Sequence, residues 1–348
     1  MRQSRSTALR RLGALAAASA AAVALAACSS TGGTPSDTSS SGGSDEPLSI
    51  AYVSFAVENT YDAPMLKAAQ DVAAANNATV TVLDGALDPA KQGQLIEDAI
   101  TSGKYDGIIT QPVYGPAIVA NVENAIAAGI PVVNIDQILG EDFTTGKTQV
   151  DGLIANVVFV PSDLGKKFGE QIVAACKSKN LDPCNVAWLH DVTGSAIDLA
   201  FADAFNKVTA GTPVTVVATG DTNYTPSVAQ GVAADIITAH PEVNLWASSD
   251  QGLQGIMQAL GAAGKATSDY LFVGYGGSQW VQPQVADGTV FADAVQAPAT
   301  EGRLGMQAMI DYLRTGKKTG DVDPFKDFPN NGVMTKDTAS KFTGEWVG

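Results

Sequence analysis

The sequence predicts an α/β protein built as two similar, doubly wound parallel-sheet lobes. Three observations carry this. Short apolar runs alternate with amphipathic helical patterns at roughly 25–30 residues per unit, the rhythm of β-α-β units with parallel strands. The alternation breaks near Val157–Val160 and then starts again, giving two series of similar size. Polar side chains collect at the carboxyl ends of the apolar runs, the edge at which open α/β sheets bind small molecules. A chain of 348 residues is also too long for one small core and suits two domains.

Taken in order, residues 1–27 read as a targeting segment. Arg2, Arg5, Arg10 and Arg11 precede or open the apolar run Leu12–Ala27, and such a leader is set aside from fold reasoning. Leu25-Ala26-Ala27-Cys28 resembles the lipobox of bacterial lipoproteins, in which the cysteine thiol receives diacylglycerol and becomes the mature N-terminus. An ordinary signal peptide with an incidental cysteine is the alternative. Two or three acyl chains anchor a protein stably, whereas one holds only marginally. Residues 28–47 complete the tether: Ser29–Pro47 has almost no apolar side chains and reads as flexible, with an r.m.s. reach of about 25 Å.

The globular part opens with the strand Leu48–Val53, the polar loop Ser54–Asp62 and a helix over Pro64–Asn76, with Pro64 suited to a first turn. Thr79–Leu83 is the second strand, and Asp88-Pro89 opens a helix running to about Ser102. Tyr105–Gln137 is the clearest unit. Gly107–Thr110 reads as a buried strand and Gln111–Pro116 as a polar turn. Ile118, Val122, Ala125 and Ile126 follow at helical spacing up to Gly129, and Ile130–Ile135 closes on Asp136 and Gln137. After Val157–Val160, a helix over Leu164–Lys177 begins the second series. Strands at Asn185–Leu189, Val214–Ala218 and Leu245–Ala247 alternate with helices at Ala196–Val208, Pro226–Ala239 and Gly252–Ala262. Leu271–Val273 and Phe291–Val295 complete the strands. The helix Ala299–Thr315 is expected to return to the first lobe, and the polar tail beyond Gly316 gives little signal.

Charge and cysteines narrow the function. The formal net charge is −15. Without the four leader arginines, 17 basic residues face 36 acidic ones, about −19, which argues against a nucleic-acid surface. Nothing after the leader approaches the roughly 18 apolar residues of a membrane span. Cys176 and Cys184 lie between a helix end and a strand start in a chain sent out of the cytoplasm, which favours a disulfide over two free thiols. His190 and His240 are the only histidines, so neither a metal site nor a cofactor is expected.

The candidate binding residues sit at strand ends. In the first lobe they are Glu58, Asn59, Tyr61, Asp62, Gln111, Asp136 and Gln137. In the second they are Asp191, Asp198, Tyr224, Ser249, Asp250 and Gln296. Polyols need fixed donors and acceptors plus an aromatic face for ring C–H groups. Asp, Asn and Gln supply the first, and Tyr61, Tyr224, Tyr275 and Trp280 are candidates for the second. Asp136 is the sharpest of these because it ends a fully apolar strand. No nucleophile elbow, Walker loop, H-E-x-x-H or dinucleotide fingerprint stands in the context it requires. His190 is read as structural, or as a support behind a residue of the site, rather than as a base with Asp191, and no catalytic set emerges.

From Leu48 to about Gly316 the chain resembles the ribose-binding-protein-like (type I) substrate-binding proteins of bacterial ABC sugar importers. The motifs carrying the resemblance include Asn59-Thr60-Tyr61, Asp88-Pro89-Ala90-Lys91-Gln92, Gly107-Ile108-Ile109 and Ala128-Gly129-Ile130-Pro131-Val132-Val133. Ser249-Asp250, Val273-Gly274-Tyr275 and Ala294-Val295-Gln296-Ala297-Pro298 extend it. The resemblance implies two lobes joined by a hinge, with crossings near Ser162, Gln296 and Asn330. It divides the chain into a first lobe of residues 48–162 and 297–330 and a second of 163–296 and 331–348. It places the pocket on Asn59, Tyr61, Asp136, Tyr224, Ser249 and Gln296. Departures from the family pattern bear on the ligand. Asp136-Gln137 stands where Asp-Arg is usual, and Asp198 lies where a helix arginine is expected. Ser249-Asp250 replaces Asn-Asp, and Tyr275-Gly276-Gly277 replaces Phe-Asp-Gly. A pocket with acids and no arginine should reject phosphates and carboxylates.

The expectation is a monomeric, extracytoplasmic, lipid-anchored protein, not an enzyme, that delivers a neutral sugar or polyol to an ABC permease and its ATPase. It should touch the membrane only through its anchor and bind no nucleic acid. The alternatives are a ligand-presenting sensory receptor component, a binder of a cationic small molecule, and a hydrolase dependent on His190.

Overall fold

In the computed structural model, which describes residues 46–348, the apolar runs form two six-stranded sheets. The leader, Cys28 and the tether up to residue 45 lie outside the described residues. The first sheet contains β1 (Leu48–Ser54), β2 (Ala78–Asp84), β3 (Gly107–Thr110), β4 (Val132–Asp136), β5 (Ala155–Val158) and β11 (Gly320–Val322), in the order β11-β5-β4-β3-β1-β2. All its pairings are parallel. The second contains β6 (Cys184–His190), β7 (Val214–Asp221), β8 (Leu245–Ser249), β9 (Leu271–Gly276), β10 (Ala292–Val295) and β12 (Val333–Thr335), in the order β12-β10-β9-β8-β6-β7. Only β12 runs antiparallel to its neighbour.

Both faces of each sheet are covered, which is why the strands read as continuous apolar runs. On β1, Ile50 and Tyr52 point to one face and Ala51 and Val53 to the other, the period-two alternation of a strand. The first face packs with Met65, Met306 and Met309 beneath α1 (Asp62–Ala75) and α9 (Pro298–Thr315). The second packs with Ile96, Ile118 and Val122 of α2 (Pro89–Ser102) and α3 (Gly115–Ala127). In the second lobe, α4 (Pro161–Ser178) and α5 (Ala196–Thr209) bury Phe168, Ile172, Phe201 and Phe205 against Val186 and Trp188. On its other face α6 (Pro226–Ala239), α7 (Asp250–Ala262) and α8 (Val281–Asp287) enclose Trp246 and Phe272.

Because α9 packs on α1, the chain passes between the sheets three times: between β5 and α4, between β10 and α9, and between β11 and β12. Helix α4 starts three residues earlier than its apolar spacing indicates, since Pro161 takes a first-turn position that needs no backbone N–H. Cys176 and Cys184 lie at disulfide distance, with Cα atoms 5.8 Å apart, tying the end of α4 to the start of β6. Among the described residues no helix is long and apolar enough to cross a membrane.

Candidate functional site

Each sheet reverses its strand order once, between β1 and β3 in the first lobe and between β6 and β8 in the second. Loops leaving the two sides of such a point diverge and open a crevice at the carboxyl edge. Here residues from both crevices line one cavity. Asn59, Tyr61, Asp62, Asp136 and Gln137 come from the first lobe; His190, Asp191, Asp198, Tyr224, Ser249 and Tyr275 come from the second, and Gln296 from the crossing into α9.

Asp136 ends β4 at φ +66°, a turn that redirects the chain immediately after the strand. Its Oδ2 accepts from Gln111 Nε2 (3.0 Å) and Gln137 Nε2 (3.1 Å), while Oδ1 has no partner among the described residues. The residue is only 2% exposed. Burial therefore raises its pKa from 3.8 to about 6, against the lowering effect of the two amides. Gln111 sits behind it, accepting from Phe55 N (3.3 Å) and donating to Asp62 Oδ1 (2.6 Å). Burial, and then the Asp136 charge, push Asp62 well above the usual carboxylate range.

The opposite wall holds its acids differently. Asp191 accepts from the Ser249 hydroxyl (2.7 Å) and from the hydroxyls of Thr222 and Tyr275. Burial still raises its pKa, with those three hydroxyls working in the other direction. Asp198 pairs with His190 Nδ1 and accepts from Gly194 N (3.0 Å). The His190 ring stacks on Trp188, centroids 4.0 Å apart and planes 24° off parallel. Phe159, Leu164, Trp188, Ile197 and Phe201 add an apolar wall, with Phe201 lying 5.2 Å from Tyr275. The lobes also meet at the rim. Gln251 Nε2 donates to Thr60 Oγ1 (3.0 Å), and Phe55 meets Tyr224 edge to face at 6.4 Å.

Of the thirteen candidates, Asn59, Tyr61, Asp62, Asp136, Gln137, Asp191, Asp198, Tyr224, Ser249 and Gln296 line the cavity. Three do not. Glu58 is exposed on the loop after β1. Gln111 is buried one layer behind Asp136, and Asp250 faces away to accept from Ser278 N (2.7 Å). Trp280 packs against the second-lobe core instead of the cavity. His190, expected in a structural or supporting role, lines the wall and holds Asp198 through its Nδ1. Phe201, Gln251 and Trp346 were missed, because helix periodicity or a featureless tail hid them. No lysine or arginine stands among the lining residues.

Comparison with known proteins places this geometry among relatives. A family model described as a periplasmic binding protein domain matches residues 50–318. The chain is similar to the ribose import binding protein RbsB of Bacillus subtilis, 27% identical over 80% of this chain and 86% of that protein. It is 28% identical to a D-ribose/D-allose-binding protein of Pseudomonas aeruginosa, over 65% of this chain and 68% of that one. A solved ABC transporter solute binding protein from Mycobacterium smegmatis with bound glycerol has the same fold, with a TM-score of 0.72. It is 23% identical, over 87% of this chain and all of that one.

Proposed function

The chain belongs to the family of periplasmic binding protein domains, and from that premise we propose that it is the solute-binding protein of an ABC importer. It takes a neutral sugar or polyol in the cavity between its lobes and delivers it to the permease and its ATPase. Binding, not turnover, is the activity of this family. The observation that carries the ligand class is the lining itself: four carboxylates, amides and hydroxyls beside an aromatic wall, with no lysine or arginine. Anionic ligands call for guanidinium partners. A polyol brings hydroxyl donors for acceptors such as Asp136 Oδ1 and C–H faces for Tyr224 and Tyr275. The ribose and allose named for the two relatives are of that class.

In this reading Asn59, Tyr61, Asp136 and Gln137 hold the ligand from residues 48–162 and 297–330, the first lobe. Asp198, Tyr224 and Ser249 hold it from residues 163–296 and 331–348, and Gln296 holds it at the hinge. A bridging ligand adds its contacts to Gln251–Thr60 and shifts the population toward the closed form that a permease recognises. The leader directs a monomer out of the cytoplasm, Cys28 carries the lipid that anchors it, and Cys176–Cys184 is a disulfide. A second reading, a cationic small molecule, is favoured by the same surplus of carboxylates.

A thermal-shift panel of neutral sugars, cyclitols, amino sugars and polyamines tests this. A ligand at 100 times its Kd adds about 2.7 kcal/mol, a shift of several degrees. A neutral sugar or cyclitol giving that shift supports the proposal. A shift with amines alone moves the assignment to the cationic reading, and silence across the panel refutes the carbohydrate assignment.

A further inference from the structure

We propose that segment 344–347 is a closure latch and that Trp346 is a ligand-contacting residue of the cavity, an inference that rests on the binding reading above. The match to the family model ends at residue 318, before this segment. Yet Trp346 is 3% exposed and lines the cavity.

The segment is fixed to the second lobe by its backbone and by the indole. Gln279 N donates to Trp346 O (2.8 Å), Gln279 Nε2 donates to Gly344 O (3.2 Å), and Trp346 Nε1 donates to Gly276 O (2.8 Å). Gly276 permits the approach: a Cβ on it would lie 2.7 Å from the indole Cζ2. The same segment reaches the first lobe twice. Glu345 accepts from Thr300 N (2.8 Å) and the Thr300 hydroxyl (2.6 Å), placing a carboxylate at the positive end of α9. The Trp346 ring meets Tyr61 edge to face, centroids 5.5 Å apart.

Two consequences follow from that geometry. The indole N–H is occupied by Gly276, so Trp346 offers the cavity only apolar ring surface, suited to the C–H face of a sugar. Opening the lobes parts Tyr61 from Trp346, together with Thr60 from Gln251. The latch therefore sets how much of the unliganded protein is closed. Apparent affinity scales with that fraction.

The test uses the full chain as wild type, Trp346→Ala, Trp346→Phe and Glu345→Ala. Small-angle scattering is recorded without ligand, and D-ribose and D-allose are titrated as probes. Trp346→Ala is expected to expand the unliganded protein and weaken the better probe at least tenfold. Glu345→Ala, which leaves the cavity wall intact, is expected to expand it and weaken binding about threefold. Trp346→Phe keeps a ring and should recover most of the affinity. A Tyr61→Ala, Trp346→Ala double-mutant cycle should be non-additive. Wild-type scattering and wild-type affinity in Trp346→Ala, with an unchanged circular dichroism spectrum, overturn the proposal. Should Trp346→Ala fail to fold, wild-type scattering in both Glu345→Ala and Trp346→Phe overturns it. If neither probe nor any sugar binds the wild type, the carbohydrate reading fails while scattering alone decides the latch.

Discussion

Replacing Asp136 with asparagine should make the unliganded protein more stable at neutral pH while weakening its binding. The folded carboxyl titrates at about 6 instead of 3.8 because it is buried. Between those values the folded chain holds a proton that the unfolded chain has released. Its contribution to stability therefore falls as pH rises from about 4 to 6 and stays low above that. A gap of roughly 2 pKa units corresponds to about 3 kcal/mol at pH 7.5. Asparagine removes that cost without disturbing the wall. Its amide oxygen can replace Oδ2 as acceptor for Gln111 and Gln137, and its NH2 takes the place of Oδ1, which has no partner among the described residues. Thermal midpoints of wild type and Asp136→Asn at pH 4.5, 6.0 and 7.5, without ligand, read the difference. The variant should gain several degrees over wild type at pH 7.5 and nothing at pH 4.5. Its affinity for any sugar bound by the wild type should fall at least tenfold at pH 7.5. Parallel stability profiles across that range, or a variant less stable at pH 7.5, would refute the reasoning. Asp250, also raised to about 6, contributes to both proteins and cancels in the comparison.

The double change Cys176→Ser, Cys184→Ser removes the proposed cross-link between residues eight apart in sequence. The chain-entropy model puts its loss at about 2.5 kcal/mol, and reductant should lower the wild-type melting point but leave that of the variant unmoved; equal sensitivity counts against a disulfide. Gly115→Ala places a Cβ about 1.9 Å from the Ile138 carbonyl oxygen, a backbone atom that cannot swing aside. The resulting shift of α3 should cost about 1–3 kcal/mol, read as a lower urea midpoint, and a wild-type midpoint would contradict that close packing.

The fold was legible because each strand's apolar run and each helix's periodic stripe report burial directly, as β1 does with Ile50 and Tyr52 opposite Ala51 and Val53. What escaped was held by distant partners. β11 and β12 are three residues each and exist through pairing with β5 and β10, too short for any periodic signal. The site divides in the same way. Asp136, Gln111 and Asp250 all follow apolar strands, yet only Asp136 faces the cavity. Its positive φ turns it there, whereas Asp250 opens α7 and is drawn to Ser278 N. Strand ends locate the edge of a crevice, and the turn after each strand decides which side chain reaches it. Phe201 was hidden for another reason: on α5 it belongs to the aromatic core beside Phe168 and to the cavity wall together.

The two walls bury carboxylates under different terms, and that difference assigns their roles. A buried carboxylate is tolerated when donors surround it. Asp191 has three hydroxyls and Asp198 an imidazole and a backbone N–H, so the two acids that line the cavity from the second lobe are satisfied internally. In the first lobe Asp136 Oδ1 and Asp62 Oδ2 have no protein donor among the described residues. A ligand hydroxyl reaching Asp136 Oδ1 would supply the donor that the protein does not. A ligand with a hydroxyl there completes the set, while one lacking it leaves a buried charge unpaired at about 1–3 kcal/mol or more. Polar sites of this kind discriminate against a missing hydroxyl more sharply than apolar walls discriminate against size. On the carbohydrate proposal, selectivity among polyols would therefore belong to the first lobe, and general affinity for their C–H faces to the aromatic second lobe.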